Sequence, residues 1–205
     1  MGCVIYAAFL VLDLTGRGGM TVPINYAGVL LCLAFALLCA AKGGDRLVPI
    51  ALALTAGADW FLLVRNDHYV VGIILFLCVQ TVYLIRLWQA GTVVRSFRVG
   101  LTLGANLAVC AAEMVSLVNL LAALYFSQLL SNAIAAWTLQ GKRGRRFALG
   151  LTLFVGCDTC VGLFNALPAV SPLYPAASVG MWLFYLPSQV LIALSALPEK
   201  ETCHE

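Results

Sequence analysis

Charge is what this sequence has least of. Asp, Glu, Lys and Arg make up only 10% of the 205 residues, against 62% hydrophobic, and the mean hydropathy is +0.98. Soluble domains are about half apolar and about a quarter charged, so a water-soluble fold is excluded. Histidine is also scarce. His68 falls in a loop and His204 at the tail, which argues against a histidine-based metal site. There is no N-x-S/T acceptor and no sorting signal, and the loops are compact, features that favour a bacterial plasma membrane over the endoplasmic reticulum. The first residues lack the basic start and small-residue cleavage site of a signal peptide, so they are expected to stay in the mature protein. The net charge of +3 is scattered over short loops rather than gathered on one face, and no nucleic-acid partner is expected.

Cysteine, by contrast, is plentiful, with eight residues. Cys3, Cys32, Cys39, Cys78, Cys110, Cys157 and Cys160 all fall within apolar segments, where they read as small packing side chains rather than a disulfide framework. Cys157 and Cys160 form a C-x-x-C, but inside a helix, whereas a redox pair usually opens one.

What the chain does have is long apolar runs. A hydrocarbon core about 30 Å thick takes about 20 apolar residues per helix. The runs predict an all-α, polytopic bundle of eight helices near residues 2–15, 24–41, 47–64, 69–88, 98–115, 118–139, 147–166 and 174–197, forming one integral-membrane domain. The first block is short and ends on Asp13; the run from Val99 to Leu139 is too long for one span and is broken near Ser116 to Asn119. Lys42, Arg46, Arg86, Arg95, Arg98, Lys142, Arg143, Arg145, Arg146 and Lys200 fall on one side of this partition, and only Arg17 and Arg65 on the other. The positive-inside rule then places both termini in the cytoplasm.

Two of the few charges stand inside these runs. Leu52 to Leu63 reads LALTAGADWFLL, and ninety-nine residues later the chain reads LTLFVGCDTCVGL, so that Leu52, Leu54, Gly57 and Asp59 correspond to Leu151, Leu153, Gly156 and Asp158. Asp13 and Glu113 correspond near helix ends, Tyr26, Leu30 and Leu31 match Tyr125, Leu129 and Leu130, and Phe76-Leu77-Cys78-Val79-Gln80 answers Tyr185-Leu186-Pro187-Ser188-Gln189. Two four-helix halves, about 1–95 and 96–205, are therefore expected as a parallel repeat related by an axis along the membrane normal. Asp13, Asp59, Glu113 and Asp158 would share the outer half of the bilayer. Charge in hydrocarbon costs roughly 2.5–3.5 kcal/mol or more per residue, so these groups must face an interior, a cavity or each other. A close Asp59 and Asp158 pair is expected to share one proton, one carboxyl serving as acid and the other as base; the same residues could instead stay protonated and hydrogen-bond neighbouring helices.

Further polar side chains could line the same interior. Thr55 lies one turn before Asp59; Asn106, Cys110 and Glu113 share a face, as do Gln128, Ser131 and Asn132; Tyr185 and Gln189 are one turn apart around Pro187; and Gln80 stands in the fourth block. Interhelical glue is the plainer role for such residues. Trp60, Trp88, Trp137 and Trp182, with Tyr69 and Tyr174, sit mostly near span ends as interfacial anchors.

The order GADWFLL, FLCVQTVYLI, FVGCDTCVGL and FYLPSQVLIAL resembles the YhhN or lysoplasmalogenase-like family of eight-span membrane proteins. The resemblance implies two working aspartates at Asp59 and Asp158, with Tyr185 and Gln189 as the matching pair of the last helix. This chain departs from the family pattern at Ala58, Cys157 and Gln80, where glycine, serine and histidine are usual, and carries Val48-Pro49 in place of Lys-Pro. The implied activity is hydrolysis of the vinyl ether bond of a lysoplasmalogen, a lysophospholipid, to a fatty aldehyde and a glycerophospho-alcohol, without metal or other cofactor. The head group is expected at the outer interface near Arg65 or Arg17. A proton-coupled carrier of a small or lipid-like solute is the competing expectation, and a lipid-binding or assembly protein the third.

Overall fold

The computed structural model describes residues 21–92 and 95–198. Seven helices and no strand occur among them: α1 (Thr21–Ala41), α2 (Leu47–Asp59, continued by a π-helical turn, Trp60–Val64), α3 (Tyr69–Gln89), α4 (Arg95–Ala111), α5 (Leu117–Ala136), α6 (Gly141–Ala166) and α7 (Tyr174–Leu194). Six of these are long and apolar enough to cross a membrane, while the apolar part of α4, Ser96–Ala111, is shorter. The chain is thus a multi-pass helical membrane protein. The eighth helix expected at 2–15, with Asp13, Arg17 and Cys3, lies outside the described residues, as do Lys200 and His204.

The helices stop where backbone chemistry requires it. Gly43 adopts φ +82° beyond α1, Gly91 +72° beyond α3, and Ser116 caps α5 by accepting from the Asn119 N–H at 3.1 Å. Two boundaries differ from expectation. α4 ends at Ala111 and the chain turns through Glu113 at φ +57°, so Glu113 is exposed in a loop instead of sharing a face with Asn106 and Cys110. α6 begins at Gly141 rather than near 147, so Lys142, Arg143, Arg145 and Arg146 form its first turns. Hydropathy alone ends a helix where charges begin, but the backbone continues into the interfacial region, where such side chains are hydrated.

The interior mixes small residues, Ala36, Ala51, Ala58, Ala133, Ala136, Ala148 and Ala193, with large ones such as Leu52, Tyr83, Phe147 and Phe154, while Leu31, Leu38, Leu103 and Leu107 point outward into the space that lipid fills. Small residues let backbones approach closely. A Cβ at Gly150 of α6 would lie 3.1 Å from the Ile192 nitrogen and 3.2 Å from the Ser188 carbonyl oxygen of α7.

One end of the bundle is tied by ionic contacts. Arg86 at the end of α3 pairs with Asp45 ahead of α2 (Nε to Oδ2, 2.7 Å) and donates to the Ser195 hydroxyl (2.9 Å) and carbonyl (3.1 Å) beyond α7. Its guanidinium also lies 4.1 Å above the Phe147 ring of α6. Arg143 reaches the same Ser195 carbonyl at 3.3 Å, Asp45 accepts from the Leu47 N–H at 2.9 Å, and the Asp45 N–H donates to the Ala196 carbonyl at 3.1 Å. These contacts satisfy carbonyls that the end of α7 leaves without partners. They also show that α2 and α6 start where α3 and α7 end, so α2 and α7 run antiparallel.

The Arg86–Asp45 pair is largely buried, with side chains 11% and 16% exposed. Removing one partner of such a pair costs roughly 3–5 kcal/mol because the other charge is left uncompensated. Arg143 Nη2 also stands 3.9 Å from Asp45 Oδ2, so Arg86→Gln leaves Asp45 a second cation and is expected to lower the unfolding free energy in detergent by less than that amount. Adding Asp45→Asn to Arg86→Gln should recover part of it; strictly additive losses would show that the two side chains are not coupled.

Candidate functional site

Asp59 closes the regular part of α2, and beyond it the Arg65 N–H bonds back to the Trp60 carbonyl five residues earlier, at 2.8 Å. Such π turns accumulate at functional positions because they re-aim the residues beside them. The Asp59 side chain is 2% exposed, and Thr55, one turn before it, is fully buried. Across from it on α7, the Tyr185 hydroxyl donates to Asp59 Oδ2. Antiparallel running then sets Thr55 level with Gln189, each one turn toward the ionic end. The Thr55 hydroxyl and Gln189 Oε1 are buried without a protein partner, while Gln189 Nε2 donates to the Ser188 hydroxyl at 3.3 Å.

Asp158 occupies the corresponding place on α6. The Tyr125 hydroxyl of α5 donates to its Oδ2. Between the two tyrosine–aspartate pairs lie two phenylalanines in edge or tilted contact. Ring centroids are 5.6 Å apart for Tyr125 and Phe76, 5.8 Å for Phe76 and Phe154, and 6.0 Å for Phe154 and Tyr185. This aromatic row links the two tyrosine–aspartate pairs through a single layer of the interior. No hydrogen bond joins the two carboxyls; each holds its own hydroxyl. They are not equivalent, since Asp59 is sealed and Asp158 is half-buried. Neither pairs with a described cation. Cys157, which precedes Asp158 in the chain, is buried.

The other polar candidates form a second cluster. Asn132 Nδ2 donates to Gln80 Oε1 at 2.9 Å and to the Gln80 carbonyl at 3.0 Å, both residues being buried. Arg98 of α4 donates to Gln128 Oε1 at 2.7 Å and to Asn132 Oδ1 at 2.8 Å, and Gln128 Nε2 donates to the Thr102 hydroxyl at 2.9 Å. Asn106 is half-buried and donates to the Thr102 carbonyl of its own helix at 3.0 Å. Thr55, Tyr185 and Gln189 are therefore brought to the Asp59 side; Gln80, Asn132 and Gln128 join the Arg98 network, Asn106 bonds only its own helix at Thr102, and Glu113 joins neither. In the loop after α2, Arg65 pairs with Asp67 at 3.0 Å and His68 Nδ1 lies 2.8 Å from the same carboxyl. The His68 hydrogen bond, then Arg65, hold Asp67 below the usual carboxylate range, so Arg65 already has a counter-ion. No cluster of three or more His, Cys, Asp or Glu suited to a metal occurs among the described residues.

Tyr125 and Arg98 are the two members that sequence reasoning did not assign to a site. Tyr125 carried a signal, its correspondence to Tyr26, but the two differ in use: Tyr26 packs on Trp60, with centroids 5.9 Å apart, and Tyr125 binds Asp158. Arg98 was read as a loop charge because helices are expected to end before arginines.

A model of the YhhN family matches residues 20–196. The chain belongs to the YhhN family. Both aspartates, both of their tyrosines and the Arg98 cluster lie inside the matched region of this YhhN protein, and no curated protein or solved structure matches the chain.

A buried carboxyl that loses its only donor costs roughly 1–3 kcal/mol. Tyr185→Phe is expected to destabilise the protein by about that much in detergent unfolding, because buried Asp59 has no other side-chain hydrogen bond among the described residues. Tyr125→Phe removes the one hydrogen bond described for Asp158 and should cost a comparable amount; unchanged unfolding free energies in both variants would show that the tyrosines do not hold the carboxyls.

Proposed function

We propose that this YhhN protein is an integral-membrane hydrolase that cleaves the vinyl ether bond of lysoplasmalogen-type lysophospholipids, with Asp59 and Asp158 as its acid/base pair. The observation that carries the reading is the interior layer in which two cation-free aspartates each accept from a tyrosine hydroxyl. The family likeness supplies the substrate class.

The chemistry matches the layer. A vinyl ether is activated when an acid protonates its β-carbon: the C=C electron pair forms the new C–H bond, and the α-carbon becomes an oxocarbenium ion. A base removes a proton from water as its oxygen bonds that α-carbon, giving a hemiacetal. Collapse of the hemiacetal breaks the bond to the glycerol oxygen, which takes up a proton and leaves as the alcohol, and the aldehyde departs. In that collapse the carboxylate left by the first step takes the hemiacetal hydroxyl proton, and the acid formed in the second gives its proton to the glycerol oxygen. One carboxylic acid and one carboxylate therefore suffice, each used twice and restored. Asp158, being half-buried, is the group that a chain arriving between helices meets. Sealed Asp59 lies beside the Thr55 and Gln189 oxygens that have no protein partner, groups suited to holding the attacking water. The tyrosine hydroxyls donate to the carboxylate of either residue and orient it.

The membrane arrangement that fits this reading has both termini in the cytoplasm and two parallel four-helix halves, in a bacterial plasma membrane. Helix neighbours support it. α1 packs on α2 as α5 does on α6, α2 on α3 as α6 does on α7, and α1 on α7 as α5 does on α3. The basic side chains Arg86, Arg143 and Arg146 gather at a single end.

Purified protein incubated with lysoplasmalogen should release aldehyde, and Asp59→Asn and Asp158→Asn should each lower the rate by about 10²-fold or more. Undiminished release by both variants would sink the acid/base assignment. Solute uptake driven by a pH gradient in proteoliposomes, without aldehyde, would identify a carrier instead.

A further inference from the structure

We propose that the outer halves of α5 and α6, away from the ionic end, part over Asp158 to form a lateral opening for a single-chain glycerophospholipid, kept clear by Gly162. The choice of that lipid rests on the ether-hydrolase reading. The opening is read from the stripe of α6 that faces the interior. Phe147, Leu151 and Phe154 lie on that stripe and are buried, and one turn further out Asp158 meets Tyr125 of α5. Beyond Asp158 the stripe is uncovered: Val161, Gly162 and Asn165 are exposed, and a Cβ at Gly162 would meet nothing within 4 Å. The facing stripe of α5 behaves alike. Asn132, Leu129 and Tyr125 are buried, Leu121 is partly buried and Val118 is exposed.

The first half of the chain is closed at the same depth. In the repeat, Leu62 and Leu63 of α2 correspond to Val161 and Gly162, and both are partly buried. Leu62 sits so tightly on α3 that a Cβ at Gly72 would lie 2.4 Å from its Cγ. On its other flank α6 is closed against α7 in the same way, since a Cβ at buried Gly180 would lie 2.6 Å from Cys160 Sγ. Val-Gly in place of Leu-Leu thus puts the opening between α6 and α5, on the Asp158 side.

Polarity and depth select the occupant. The floor is a carboxyl bonded to a phenol, the walls are the apolar Val118, Leu121 and Val161, and the rim carries the amide of Asn165, one residue before α6 ends at Ala166. From Asp158 to Asn165 the helix rises about 10 Å. That is comparable to the reach of a glycerophosphate from its phosphorus to the first carbons of its chain. Such a lipid sets its head group at the polar rim and its glycerol between the walls. The ether carbons then lie at the Asp158 carboxyl, and the rest of the chain passes between the helices into the bilayer. A small water-soluble solute would leave the apolar walls without a partner.

Binding is read first without turnover. The intact protein in detergent is irradiated with a 1-O-alkyl lysophospholipid, whose saturated ether offers no C=C to protonate, carrying a diazirine at the start of its chain. Cross-links should map to the outer halves of α5 and α6. Gly162→Leu should lower cross-linking about tenfold or more and raise KM for lysoplasmalogen to match, with Gly162→Ala between it and wild type. Both glycine variants should keep the wild-type Tm, because the added atoms enter open space. Leu149→Phe, on an exposed inner turn of α6, should match wild type in every readout. Cross-links on α1 and α2 instead, or cross-linking unaltered in Gly162→Leu, overturn the proposal. Cross-linking that Gly162→Leu abolishes, in a protein that releases no aldehyde, keeps the opening and removes the hydrolase reading. Aldehyde release by Gly162→Leu with the wild-type KM removes the opening and keeps the hydrolase reading.

Discussion

A carboxyl group placed in a membrane interior must find a hydrogen-bond donor, and in this protein two tyrosine hydroxyls meet that need. Tyr185 to Asp59 joins α7 to α2, and Tyr125 to Asp158 joins α5 to α6. Hydrophobic burial cannot set helix register in lipid, because lipid tails are as apolar as the side chains they would release. Register falls to polar contacts and small-residue packing. For α2 and α7 it is fixed twice: in the interior by the Asp59 bond, and at the ionic end by the Asp45 N–H on the Ala196 carbonyl. Between these points the Gly150 approach holds α6 against α7 with no room for a methyl group. The candidate site and the architecture therefore rest on the same bonds.

The inequality of the two acids follows from how the tyrosines are distributed. Asp59 draws its donor from the other half of the chain, and Asp158 from the neighbouring helix of its own half. Where Tyr185 carries a hydroxyl, the corresponding Phe76 carries none and serves as a wall between the pairs. Tyr26, the counterpart of Tyr125, packs on Trp60. Corresponding sequences thus give one fully buried and one partly buried aspartate residue, each bound to a tyrosine. Acid/base division of labour requires that kind of difference between environments.

Much of this was legible in the residues. Asp59 and Asp158 stood out because charge in an apolar run is costly, and Thr55, Tyr185 and Gln189 because one-turn spacing puts polar groups on one face. Hydropathy predicts eight spans, of which six are long enough to cross among the described residues while α4 is shorter. It also predicts the break at Ser116, whose hydroxyl caps α5. Other features had no local signal. The π turn after Asp59 lies in WFLLV, a run equally suited to an α-helix, and arises from tertiary packing. Glu113 was assigned to a helix because its neighbours are apolar; the left-handed turn there is invisible to hydropathy. Arg98 joins Gln128 and Asn132 across some thirty residues of sequence, a pairing that only the fold brings about.

In the proposed reaction a carboxylic acid of the tyrosine-bound pair delivers a proton to carbon. Turnover of lysoplasmalogen by the wild-type protein in D2O, followed by mass spectrometry of the aldehyde, tests this most directly. The account predicts one deuterium on the carbon next to the carbonyl, beyond the exchange that authentic aldehyde undergoes in the same buffer. Aldehyde released without that deuterium would contradict it.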